Sequence, residues 1–289
     1  MSNKHPNNNI AFAGVAGANA DLICRRAYPY MTSLPVATFE DVFEAVEHGT
    51  AAIGMIPIEN SHAGRVAEVH NILPSTKLSI IGEFFQRVEH QLLAPQSATI
   101  DSIKTVYSHP QALMQCREYL RKLGVTTINY SNTAAAAEDI STWNDPTKAA
   151  VASSLAGELY GLKNLASNIE DADDNSTVFL AMAKEPIDPE GEHIITTLLF
   201  TARNIPAALY KALGGFATNN VNLLKLESYI PGGTSNTAQF FVSFEGSTKQ
   251  RNVQLAIEEL GFFCRHVKVL GVYPAAAERY VKTPSKTTK

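Results

Sequence analysis

The chain has 289 residues, 45% of them hydrophobic, and a formal charge of −4. That length predicts two domains with three lobes between them, and the scattered Lys and Arg exclude a nucleic-acid-binding surface. No segment approaches the roughly 20 apolar residues that span a bilayer, and the Asn-rich stretch Met1–Asn9 lacks the apolar core of a signal peptide, which predicts a cytoplasmic protein.

Strand-like and helix-like segments alternate from Ile10 to about Met182. Ile10–Ala13 reads as a strand, Gly14 and Gly17 as a tight turn, and Ala18–Tyr28 as a helix. Thr38 opens the next helix, with Asp41 three residues on and Val42, Phe43 and Val46 on one face. Ile53–Ile56 is a buried strand that stops at Pro57. Leu78–Phe84 and Val88–Leu93 read as extended. Thr105–Tyr107 is a strand, and Pro110 opens a helix running to about Lys122. Thr126–Tyr130 is extended, and Asn132-Thr133 caps an Ala-rich helix ending near Trp143. Ala149–Ala152 is extended, and Ser153-Ser154 begins a helix. This alternation predicts an α/β region with a largely parallel sheet and two lobes around a cleft.

Glu185–Glu192 is a linker by composition. Beyond it the order changes to strand Ile194–Thr201, a helix opened by Pro206, strand Asn222–Ile230, a Pro231-Gly232-Gly233 turn and strand Thr237–Phe244. Helix Asn252–Leu260, closed by Gly261, and strand Val267–Val272 complete it. That βαββαβ order is ferredoxin-like. From about Ala275 the tail is polar and reads as loose.

Four polar clusters fall at predicted strand ends: Glu59-Asn60-Ser61, Ser108-His109-Pro110-Gln111, Ser153-Ser154 and Asn175-Ser176-Thr177. Ligands in open α/β sheets bind beyond the carboxyl ends of strands, so these are candidates for a site. Each also fits a cap or a turn: Ser108 and Gln111 can cap the Pro110 helix, and Ser153 and Ser154 the next one. A site of hydroxyls, amides and helix-start N–H groups suits a small anion and needs no cofactor. No GxSxG elbow or Walker loop is present, and Gly14-x-x-Gly17 is too short for a dinucleotide fingerprint. The eight histidines lack HExxH spacing, so no metal is expected. Cys24, Cys116 and Cys264 lie far apart and read as reduced packing residues.

Taken in order, Ala11–Gly14, PIENSHAGRV (57–66), GEFFQRVEHQLLA (82–94), VYSHPQALMQC (106–116), LYGLKNLASNIEDADDNSTVFLAMA (159–183), IPAALYKAL (205–213) and NLLKLESYIPGG (222–233) resemble the prephenate dehydratases with a C-terminal ACT regulatory domain. The resemblance spans about Ile10 to Pro274. It implies a two-lobed, periplasmic-binding-protein-like catalytic domain over 8–185, with lobes 8–85 plus 172–185 and 86–171. It also implies an ACT domain over 194–274.

The implied reaction is decarboxylating dehydration of prephenate to phenylpyruvate in phenylalanine biosynthesis. Arogenate is the alternative substrate, and a non-catalytic amino-acid sensor of the same fold is the alternative role. The family's asparagine, glutamine and threonine fall on Asn60, Gln111 and Thr177, with Glu59, Ser61, Ser108 and Ser153 as pocket candidates. L-phenylalanine is the implied effector, held by Ala207, Ala208, Leu209, Asn222, Leu223, Leu226, Glu227 and Ser228, with Glu227 facing its ammonium group. A homodimer or homotetramer is implied. The family usually has arginine where this chain has Val178. Strand alternation predicts that residue 178 points away from a cleft that Thr177 faces.

Overall fold

The structure, a computed structural model, describes residues 7–230 and 238–280, so the expected turn at Pro231-Gly232-Gly233 lies outside the described residues. Strand β1 (Asn9–Ala13) buries Ile10, Ala11 and Phe12 completely. Gly14 and Gly17 turn the chain at φ 125° and 84°, conformations that glycine adopts without strain. A Cβ on Gly17 would also lie 2.9 Å from the Ala156 Cα, so this turn touches the other lobe.

Helix α1 (Asn19–Ala27) and strand β2 (Thr32–Val36) follow. β2 is absent from the sequence reading because it carries Pro35 and is only half-buried. It lies at the sheet edge against β1, where a proline costs no ladder bond. α2 (Phe39–Glu47) starts where expected, and a capping box closes its first turn. Thr38 Oγ1 accepts from the Asp41 N–H, and the Asp41 carboxylate accepts from the Thr38 N–H. Such a cap contributes about 1 kcal/mol.

β3 (Ile53–Asn60) does not stop at Pro57 but continues to Asn60. Its antiparallel partner, β11 (Ser176–Ala183), shifts register there: Glu59 lies opposite Val178 and Pro57 opposite Phe179. The bulge accommodates a residue with no N–H to give to a ladder. A short hairpin leads to β4 (Gly64–Arg65), then α3 (Ala67–Ile72) and β5 (Ser79–Arg87). The first lobe's sheet has the order β5-β11-β3-β1-β2, with β4 on β3.

The second lobe is a separate sheet in the order β10-β6-β9-β7-β8. Its strands are β6 (Gln91–Ala94), β7 (Thr105–Ser108), β8 (Thr126–Asn129), β9 (Lys148–Ala152) and β10 (Lys163–Ala166). Its helices are α4 (Pro110–Gln115), α5 (Arg117–Leu123), α6 (Thr133–Trp143) and α7 (Ser154–Leu159).

The sequence predicts one helix where α4 and α5 stand. Asp171 splits it: its N–H donates to the Gln115 carbonyl (2.7 Å), and its carboxylate accepts from the Glu118 N–H (3.1 Å). The chain crosses between the two lobes at residues 88–90 and 167–175, and a cleft lies between them.

The C-terminal elements are β12 (Ile194–Ala202), α8 (Ala208–Thr218), β13 (Leu223–Tyr229), β14 (Gln239–Glu245), α9 (Arg251–Phe263) and β15 (Cys264–Pro274). This is the expected βαββαβ order. α8 begins two residues after Pro206, because Ala207 takes a left-handed conformation (φ 59°). α9 is not closed by Gly261. That glycine has no positive φ and the helix runs on to Phe263.

The C-terminal sheet, β13-β14-β12-β15, is continuous with the first lobe's sheet, because Gly271 on β15 pairs with Ile80 on β5. Only glycine fits that bridge: a Cβ would sit 2.2 Å from the Ile80 carbonyl oxygen. The tail is also not loose as far as Tyr280. Arg279 makes a bidentate pair with the buried Glu83 at 2.6 and 2.7 Å, and Arg26 pairs with Glu278 at 2.7 Å. The nearby Glu83 carboxylate raises the Arg279 pKa further.

Candidate active site

Between the lobes lies a cleft of about 460 Å³. The first lobe contributes Asn60, Arg65 and Thr177, and the second lobe contributes Gln111, Gln115 and Asn132. Three of the expected residues, Asn60, Gln111 and Thr177, therefore share one cavity although 117 positions separate the first from the last. The antiparallel register does this, since Thr177 pairs directly with Asn60 across β11 and β3.

Asn60 is the hub of the site. Its Nδ2 donates to Thr177 Oγ1 (3.0 Å) and Asn175 Oδ1 (2.8 Å), and more weakly to the Ser176 carbonyl (3.4 Å). Its Oδ1 accepts from the N–H groups of His62 (3.0 Å) and Ala63 (2.9 Å). These two backbone donors fix which end of the amide faces Thr177. Thr177 Oγ1 thus receives a hydrogen bond from Asn60, and its own hydroxyl proton is left to donate into the cleft. Asn175 is 2% exposed and its Nδ2 has no partner among the described residues, a second donor at the same wall.

On the facing lobe, the Gln111 backbone N–H donates to His109 Nδ1 (3.2 Å). The Gln111 side chain lines the cleft. His90 pairs with Gln115 (2.8 Å) in the floor, and burial pushes the His90 pKa down, so it is neutral near pH 7. Among the described residues no cluster of three or more His, Cys, Asp or Glu is arranged to hold a metal ion.

The other expected pocket residues lie elsewhere. Ser61 is exposed. Its hydroxyl donates to the Asp174 carbonyl and accepts from the Ser176 N–H, both at 3.0 Å, tying its loop to β11. Ser108 is fully buried and donates to the Val151 carbonyl (2.6 Å), which joins β7 to β9. Ser153 caps α7 through the Ala156 N–H (3.1 Å) and donates to the Gly17 carbonyl (2.5 Å) across the lobes.

Glu59 is one residue from Asn60 and faces the opposite way. It pairs with Lys225 and lines a separate cavity of about 220 Å³ with Val178, Glu83 and Arg279. Alternation along a strand accounts for both Glu59 and Val178. The expectation that residue 178 points away from the Thr177 cleft is met.

Sequence reasoning passed over Arg65, His90, Gln115 and Asn132 as wall residues, while Asn175 belongs to one of its candidate clusters. All but Asn132 lie inside the quoted motifs. Asn132 does serve as the expected cap, accepting from the Ala135 N–H at 2.7 Å.

The expected effector residues do not meet within one chain. Ala207, Ala208 and Leu209 line a cavity of about 330 Å³ with Arg203, Asn204 and Phe240. Leu226, Glu227 and Ser228 lie on β13, separated from β12 and the start of α8 by β14. Asn222 donates to Glu245 (3.0 Å), and Leu223 packs in the core under α8 and α9. Glu227 faces Arg65 of β4 at 3.8 Å. Among the described residues no helix is long and apolar enough to cross a membrane.

Residues 10–187 match the sequence model of a family described as prephenate dehydratase. A Komagataeibacter europaeus protein described as a bifunctional N-acyl-homoserine lactone acylase/prephenate dehydratase is 44% identical over 272 residues. The match covers 93% of this chain and 97% of that protein. An arogenate dehydratase/prephenate dehydratase of Arabidopsis thaliana is 38% identical over 275 residues, covering 92% and 72%. The solved structure of the prephenate dehydratase from Arthrobacter aurescens in complex with L-Phe superposes with a TM-score of 0.85 at 27% identity. That superposition covers 94% of this chain and 91% of that one. This chain belongs to the prephenate dehydratase family.

Proposed function

We propose that the protein is a lyase that converts prephenate to phenylpyruvate, water and carbon dioxide, without a cofactor, in the cytoplasmic route to phenylalanine. The observation that carries this reading is the fixed Asn60–Thr177 hydrogen bond facing Gln111 across the interlobe cleft. In the reaction the bond from ring to carboxylate breaks and carbon dioxide leaves. The electron pair moves through the ring and expels the hydroxyl opposite, and the ring becomes aromatic. A proton, delivered from solvent by way of the Thr177 hydroxyl, completes the departing water. A hydroxyl is a weak acid, so Thr177 acts as a hydrogen-bond donor that strengthens as negative charge grows on the leaving oxygen. Gln111 and Asn175 orient the hydroxyl and the carboxylates, and holding the reactive conformer contributes alongside. Ser61, Ser108 and Ser153 act as braces of the cleft walls.

Dehydration fits the cleft better than the acylase activity named for the Komagataeibacter relative. Among the described residues no hydroxyl lining the cleft is hydrogen-bonded to a histidine, the pairing that nucleophilic acyl transfer uses. The same reading makes 8–185 the catalytic domain and 194–274 an ACT domain that binds L-phenylalanine. The L-Phe bound to the Arthrobacter aurescens relative supports the effector. Since Ala207 and Glu227 do not meet in one chain, a second copy at the β13 edge would be needed to bring the two effector segments together. That favours at least a homodimer.

The test is turnover by the purified protein. Phenylpyruvate formed from prephenate supports the reading, and phenylalanine formed from arogenate in its place moves the substrate to arogenate. Heat on titration with phenylalanine, together with weakened substrate binding, supports the effector role.

A further inference from the structure

Arg65 is the one side chain with a permanent charge among the described residues lining the Asn60–Thr177 cleft, and no carboxylate lines it. The substrate proposed for this cleft is a dianion. A site that binds two carboxylates with a single fixed cation depends on that cation, and a guanidinium offers a carboxylate two parallel N–H bonds. Arg65 stands on β4 directly after Gly64 (φ 77°), at the end of the turn that Asn60 Oδ1 ties down. Its backbone is therefore positioned by the same residue that orients Thr177.

The guanidinium is not free. Its Nε is 3.8 Å from Glu227 Oε1, and its Cζ lies 5.4 Å from the centre of the Tyr229 ring. Both partners belong to β13 of the C-terminal unit, whose Lys225 also reaches Glu59 beside Asn60. Alternate residues of one strand, 225, 227 and 229, thus grip the hairpin that carries Asn60 and Arg65. At 3.8 Å, with about a third of each side chain exposed, the Arg65–Glu227 pair is longer than a hydrogen bond. It leaves guanidinium N–H donors for another anion.

We propose that Arg65 binds a substrate carboxylate and that Glu227 competes with the substrate for the same guanidinium. This rests on the dehydratase reading above. Glu227 is then a positioning residue. A shift of β13 that moves Glu227 relative to Arg65 changes substrate affinity.

The experiment is steady-state kinetics with prephenate and arogenate on wild type, Arg65→Gln, Arg65→Lys, Glu227→Gln and the Arg65→Gln/Glu227→Gln double variant. Calorimetric titration with prephenate and thermal midpoints accompany it. Arg65→Gln is expected to raise KM about 10-fold or more, and Arg65→Lys to raise it less. Glu227→Gln is expected to lower KM about 2- to 5-fold, and to have no such effect in the Arg65→Gln background. A merely structural Glu227 would not improve binding. An active wild type whose Arg65→Gln variant keeps its KM overturns the role of Arg65. A Glu227→Gln effect that persists without Arg65 overturns the competition. A wild type that turns over neither substrate overturns the dehydratase reading itself.

Discussion

Two faces of the same pair of strands do different work. On the cleft face of β3 and β11, Asn60, Asn175 and Thr177 form a neutral network of amides and a hydroxyl, with the Thr177 hydroxyl proton and the Asn175 Nδ2 left to donate to a ligand. On the opposite face, Glu59 meets Lys225 and, nearby on β5, Glu83 meets Arg279, where the C-terminal unit and the tail dock. The neutral face can adapt its hydrogen bonds to a charge that develops in a reaction. The ionic face is already satisfied and serves attachment. Residues adjacent in the chain can therefore belong to unrelated tasks, and a polar run such as Glu59-Asn60-Ser61 is not one site.

The sharpest way to break this comparison is to remove the Thr177 donor. Thr177→Val is expected to lower kcat by about 10²- to 10⁴-fold with a smaller change in KM. Rapid-mixing or steady-state assays of phenylpyruvate formation read this directly.

On the other face, Arg279→Ala leaves the Glu83 carboxylate buried without its partner, and Glu83 is only 2% exposed. Stability should fall by about 3 kcal/mol in urea unfolding, with kcat per folded molecule nearly unchanged. A kcat loss as large as that of Thr177→Val would show that the two faces are not separable.

A smaller effect concerns His70 of α3, packed edge-on against Tyr229 and Phe241 of the C-terminal unit. Burial, with help from the Arg65 and Lys225 charges, lowers the pKa of His70, and its hydrogen bond to the Val66 carbonyl and the charge of nearby Glu227 only partly offset this. His90 is lowered by burial in the same direction. The unfolded chain therefore binds these protons first. Stability is constant above about pH 6.5, falls as pH drops below it, and levels off beneath the folded pKa values. Urea midpoints between about pH 8 and about pH 5 should trace this loss, and His70→Phe should reduce it.

The smallest effect is expected from Val178→Arg. The new guanidinium would enter the cavity lined by Glu59 and Glu83, away from Thr177. kcat should change by less than about 3-fold. A large gain in kcat would place residue 178 in the chemistry.

Much of this organisation was legible in the sequence, for local reasons. The helix start at Thr38, the Asn132 cap and the Ser153 cap each depend on residues within one turn. The βαββαβ order followed from apolar runs and turn residues. What failed depended on distant partners. β3 passes Pro57 only because β11 bulges to receive it, and Asp171 divides α4 from α5 from more than 50 positions away. Asn60, Gln111 and Thr177 were identified through the family resemblance, while the direction of Glu59 and the burial of Ser108 depend on sheet pairing that no local pattern reveals. The two expected effector segments likewise stand on either side of β14 within one chain, a separation set by sheet order.

The most direct test of the division of labour is to compare two neighbours on β3 in a single assay. Asn60→Ala removes the amide that orients Thr177, and Glu59→Gln removes the carboxylate that meets Lys225. The account predicts that Asn60→Ala lowers kcat for the dehydration by about 10²-fold or more, while Glu59→Gln stays within about 3-fold of wild type. Equal losses in the two variants, or a larger loss in Glu59→Gln, would contradict it.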